Sequence, residues 1–74
     1  MALTFEPGKT YRHPSCLDVD MYVERVDGFV DDCIALRVYW INRSVAYAVD
    51  GPDDVLVRCR EVPKWVHITR TEKE

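Results

Sequence analysis

Between residues 33 and 41 the apolar side chains alternate strictly. Ile34, Leu36, Val38 and Trp40 fall on one parity, and Cys33, Ala35, Arg37, Tyr39 and Ile41 on the other. Successive side chains of a strand point to opposite faces, so the first set forms one buried face of a β-strand. The second set carries Arg37 and must reach solvent or a partner. No window holds an apolar stripe at i, i+3, i+4, i+7, and β-branched residues and tyrosines dominate, so a helical reading fails.

The rest of the chain divides at Pro7-Gly8, Pro14, Gly28, Asn42-Arg43-Ser44, Gly51-Pro52 and Pro63. Residues 19–26 read as a strand with Val19, Met21 and Val23 inward and Asp20, Tyr22 and Glu24 outward. Val26 breaks the parity, which a bulge at Glu24-Arg25 explains. Residues 28–32 read as a turn and 42–44 as a tight connection. Val45, Tyr47 and Val49 then form an inward set, and residues 50–54, with three aspartates around Gly51-Pro52, read as a second turn. Val55, Val57 and Cys59 are expected inside, with Leu56, Arg58 and Arg60 outside. Pro63 interrupts the ladder, with a short 3₁₀ turn at residues 63–65, and residues 65–69 form a last strand. Residues 71–74 read as a frayed polar tail.

Seventy-four residues allow one domain, 1–74, and a small core. Five short strands in such a chain bury one face by bending into a small antiparallel barrel, so the expected class is all-β. The segment Glu61-Val62-Pro63-Lys64-Trp65-Val66 resembles the short-helix-then-strand ending of the SH3-like barrel group. The long first hairpin and tight turns resemble that group too, which implies a five-stranded SH3-like barrel. The acidic loop and paired aromatics of a peptide-binding SH3 groove are not found, so binding of proline-rich peptides is not carried over. The opening Phe5-Glu6-Pro7-Gly8-Lys9-Thr10-Tyr11-Arg12-His13-Pro14 is similar to short uncharacterised proteins of tailed phages, which implies no activity.

Thirteen acids against ten bases give a net charge of −3, which disfavours a general nucleic-acid coat. Seven acids and three bases lie in residues 1–32, and six acids and seven bases follow, so a local basic surface is compatible with the balance. No apolar run approaches a membrane span, and the N-terminus lacks signal-peptide character. Three cysteines without paired spacing read as free thiols of a cytoplasmic protein.

By parity Tyr22, Arg37, Tyr39, Arg58 and Arg60 all point outward. Tyrosine and arginine are enriched in protein interfaces. The same pair suits single-stranded nucleic acid, by stacking on bases and binding phosphates. The face is equally readable as solvated, with its arginines paired to Asp20 and Glu24. His13, Cys16, Cys59 and His67 are a conceivable zinc set, with tolerable local spacing at His13-x-x-Cys16, but Cys59 falls on the core parity and the overall spacing fits known zinc patterns poorly, so no metal is expected. Asp31, Asp32, Asp50, Asp53 and Asp54 read as solvated turn acids, because Gly51-Pro52 breaks any EF-hand pattern. No nucleophile motif accompanies Ser15 or Ser44, so neither catalysis nor a cofactor is expected. The reading is a non-enzymatic binding module whose partner is another protein or a second copy of the chain. A nucleic-acid accessory protein and a small enzyme active only as an oligomer are the alternatives.

Overall fold

The computed structural model describes residues 5–68. It is all-β, as the alternation requires. Strands β1 (Thr10–Arg12), β2 (Val19–Val30), β3 (Cys33–Asn42), β4 (Ala48–Arg58) and β5 (Val66–Ile68) form one antiparallel sheet in the order β4-β3-β2-β1-β5. Two 3₁₀ helices, η1 (Arg43–Val45) and η2 (Cys59–Lys64), precede β4 and β5. The count of five strands matches the expectation, but two members differ. Residues 48–58 form one long strand where two short strands and a turn were expected. The fifth place goes to β1, a three-residue strand too short for alternation to reveal.

The sheet bends around one core. Met21, Val23, Ile34 and Val38 are 0% exposed, and Leu36, Phe5, Tyr11 and Val62 join them. Phe5 meets the edge of the Tyr11 ring at 4.8 Å and that of Trp65 at 6.0 Å, tying both ends of the described chain to this core. Val26, Val55, Val57 and Cys59 pack against it from the bent flanks. Among the described residues β4 and β5 remain the two edges of the sheet, so it coils without closing as the expected barrel would.

Bulges produce the bend. Val23 faces Val38 while Arg25 faces Arg37, which leaves Glu24 as the extra residue and returns Val26 to the core side opposite Leu36. This is the bulge that the parity break of Val26 predicts. A second, at Asp27, carries β2 on through Gly28 to Val30, so the turn shrinks from the expected residues 28–32 to Asp31-Asp32. Asp31 takes φ 57°, the left-handed conformation that aspartate tolerates better than most residues. A third irregularity sets Trp40 of β3 against Asp50 and Gly51 of β4, between the pairs Tyr39–Pro52 and Ile41–Val49.

That third bulge corrects the reading of residues 40–54. Trp40 stays on the core side but is only half-buried, and its indole N–H donates to Asp53 Oδ2 at 3.0 Å. The expected inward set Val45, Tyr47 and Val49 is exposed. The Asn42 side chain accepts from the Ser44 amide and caps η1, and Ala46 and Tyr47 then turn left-handed, so alternation has no register there. Pro52, Asp53 and Asp54 stand in β4 as an edge strand. A proline is tolerated there, and charges discourage further pairing.

Candidate functional site

The outward face of the sheet carries four of the five residues singled out by parity, three of them close together. Tyr22 and Tyr39 are direct partners across β2 and β3, with ring centroids 6.3 Å apart. Their row runs across the whole sheet, from Pro52 on β4 through Tyr39, Tyr22 and Thr10 to Ile68 on β5. Arg37 lies beside it. Arg58 lies at the far end of the same face, opposite Cys33. Arg60 does not belong to the face: the chain leaves the strand at Cys59, and η2 carries Arg60 off it.

Arg37 is already engaged. Its Nη1 donates to Asp54 Oδ1 at 3.2 Å, and its Nε lies 3.5 Å from Glu24 Oε1. Glu24 reaches it because the bulge adds one residue at that position, and Asp54 is its register partner on β4. Two carboxylates on one guanidinium leave no net positive charge there for a phosphate. Arg25 is likewise paired with Asp27.

On the other side of the tyrosine row sits a denser network. Asp20, expected in solvent, is 4% exposed, and Ile41, also placed on the outward parity, is 7% exposed. Both point to the expected face. Asp20 is covered there by side chains, not left to water. Arg12 holds the Asp20 carboxylate with Nε at 2.8 Å and Nη2 at 3.1 Å, and Arg43 Nε stands 3.1 Å from Oδ1. Arg43 also donates to the carbonyls of Cys16 and Leu17, which ties the β1–β2 connection to η1. The Arg12 hydrogen bonds, with Arg43 adding its charge, hold the Asp20 carboxyl below the usual carboxylate range.

At the open edge of β4 lies a groove of about 400 Å³. His13, Ser15 and Cys16 of the β1–β2 connection form one wall, and Leu56, Val57 and Arg58 form the other. Glu61 of η2 and Trp65, which joins η2 to β5, complete the lining. Sequence reasoning missed this site because its walls come from three separate stretches of chain. The one available signal was the cluster of polar residues at 13–16 with an aromatic near the end.

The remaining candidates disperse. His13 Nδ1 accepts from the Ser15 amide and its ring meets Trp65 at 5.0 Å, whereas His67 packs on Tyr11. Among the described residues no three His, Cys, Asp or Glu side chains come together as metal ligands. Asp53 and Asp54 serve Trp40 and Arg37, as above, instead of forming a turn cluster. The three cysteines are free and half-buried. Partial burial first, then the neighbouring Asp32, push the Cys33 thiol up, which favours the unreactive protonated form.

Comparison with family models, with curated proteins and with solved structures gives no match. Among the described residues no helix is long and apolar enough to cross a membrane.

Proposed function

We propose that the protein is a non-enzymatic binding module that docks another protein, or a second copy of itself, on the outward face of β2–β4. One observation carries this reading: Arg37 is neutralised by Glu24 and Asp54, so Tyr22 and Tyr39 with Pro52 are what the middle of the face offers. An amphipathic, charge-balanced surface centred on two rigid tyrosines matches the composition of protein interfaces. Exposed Leu56 and Val49 extend the apolar area along β4. The order β4-β3-β2-β1-β5, with η2 placed before the last strand, supports an SH3-like arrangement, and three free thiols fit a reducing, cytoplasmic setting.

The test is solution mass by light scattering over a range of concentrations, joined to affinity capture from the native host. The Tyr22→Ala/Tyr39→Ala double variant is the control. The expected result is a dimer, or a retained protein, that the double variant loses while keeping its fold. A strict monomer that retains nothing overturns the reading. Binding of single-stranded DNA that weakens steeply with salt would replace it with the nucleic-acid alternative.

A further inference from the structure

We propose that the groove beside β4 accepts a short extended acidic peptide, which adds to the sheet as a strand on the open edge of β4. The proposal concerns the open backbone edge of β4, which adjoins the tyrosine face at Leu56 and Arg58, and it does not require Tyr22 or Tyr39.

Backbone alternation requires a strand-like occupant. The Cys59 amide donates to the Asp32 carbonyl at 2.8 Å, just beyond the Cys33–Arg58 pair that ends the β3–β4 ladder. In an antiparallel ladder successive residues point their amide and carbonyl alternately toward and away from the neighbour. Cys59, Val57 and Val55 therefore bond toward β3, and Leu56 and Arg58 present their backbone groups to the open side. Both residues line the groove, with Val57 between them. The first half of β4 is closed to such pairing by Pro52, Asp53 and Asp54, whereas residues 55–58 hold no proline and no acid, and their one charge, Arg58, favours an acidic strand. At about 3.3 Å per residue this stretch is about 13 Å long, room for a few residues of added strand.

Charge selects the kind of peptide. Among the described residues Arg12, Arg25, Arg37, Arg43, Lys9 and Lys64 each hold a carboxylate within 4.0 Å. Arg58 and Arg60 have no such ion pair among the described residues, and Arg58 lines the groove, whose one carboxylate, Glu61, is balanced by Lys64 at 3.4 Å. The opposite wall adds His13, whose Nδ1 accepts from the Ser15 amide, so that in the neutral ring Nε2 carries the proton and donates. Leu56 and the Trp65 ring supply apolar surface for the alternate side chains. An extended segment alternating acidic and apolar residues satisfies all three features. This is strand addition, in which backbone bonds give affinity and alternate side chains give specificity.

The probe is acetyl-Val-Glu-Val-Glu-Val-amide, titrated into the isotope-labelled full chain and followed by amide and indole NMR signals. Its lysine analogue, acetyl-Val-Lys-Val-Lys-Val-amide, is titrated in parallel. The acidic peptide is expected to shift the Leu56 and Arg58 amides and the Trp65 indole, and to bind about tenfold or more tighter than the lysine analogue. Arg58→Glu reverses that preference. Leu56→Pro removes an outward N–H that the β3 ladder does not use, so it weakens binding while the other amides keep their positions. Arg58→Glu leaves the ladder intact, so the charge test stands even if Leu56→Pro unfolds. Equal binding of the two peptides, a preference unchanged by Arg58→Glu, or shifts confined to the Tyr22 and Tyr39 strands overturns the proposal.

Discussion

Arg12 holds the carboxylate of Asp20 through two hydrogen bonds, one to each oxygen, at 2.8 and 3.1 Å, on the outward face of the sheet. The Asp20 side chain is only 5% exposed, whereas Arg12 keeps 38% and Arg43 keeps 22%. The acid is the buried member and two arginines close over it. Asp20→Asn keeps the shape but leaves two guanidinium groups without their anion. Breaking a fully buried pair costs ~3–5 kcal/mol, and solvent at Arg12 reduces this to about 2 kcal/mol. Urea denaturation of the variant checks the figure by a lower midpoint at unchanged slope.

The same pair sets an acid dependence. Because the folded-state pKa of Asp20 lies below its ordinary value of 3.8, its stabilising contribution is full above that value. It is lost as the pH falls through the depressed value. Wild type and Asp20→Asn should therefore differ most near neutrality and converge in strong acid. Melting temperatures of both proteins across the acid range test this. A gap that stays constant down to the lowest pH would remove the assignment.

Asp53 is the predicted turn residue that proves to be structural. Its carboxylate accepts the Trp40 indole N–H at 3.0 Å across the β3–β4 bulge, at an exposed position. A hydrogen bond at so exposed a position contributes about 1 kcal/mol, so Asp53→Ala should lower Tm by about 4–8 °C. The indole fluorescence of Trp40 should shift at the same time, and Trp65→Phe isolates that signal.

How far the chain was legible follows from where its two-residue period is undisturbed. Ile34, Leu36 and Val38 were placed correctly because β3 is paired on both sides and its core face tolerates no slip. The bulge at Glu24 was legible because Val26 violated the period. The bulge at Trp40 was not, because its one extra residue lies on the partner strand, where Asp50 and Gly51 together face Trp40. An aspartate-rich stretch around Gly51-Pro52 has the composition of a turn. Only its position at an edge makes it a strand, and position at an edge is a tertiary fact. Arg37 and Tyr39 fall on the outward face as parity requires, and Glu24 is legible there as a partner for an arginine; Asp54, the second carboxylate on Arg37, is not, because its stretch reads as a turn. Asp20 was missed as a buried group because its cover, Arg12 and Arg43, comes from separate elements.

The core sets a limit on tolerance. Leu36 is 1% exposed at the centre of β3, and truncating a buried leucine costs ~2–5 kcal/mol. A domain of this size is stable by only a few kcal/mol. Leu36→Ala should therefore be largely unfolded at room temperature, whereas Leu56→Ala, at 58% exposure on β4, should fold normally. Circular dichroism of the pair separates the two faces of the sheet.

The connection into β4 offers a stabilising substitution. Ala46 sits at φ 53°, ψ 41° as the left-handed residue that ends η1. For an L-residue the left-handed region costs ~1–2 kcal/mol, a penalty glycine does not incur. Glycine loses more backbone freedom on folding, which offsets about 0.4–1 kcal/mol of the gain. Ala46→Gly should therefore raise stability by about 0.5 kcal/mol or more, and Ala46→Val, β-branched, should lower it. Chemical denaturation of both variants decides this, and a glycine variant less stable than wild type would show that the left-handed turn at residue 46 is not the conformation adopted in solution.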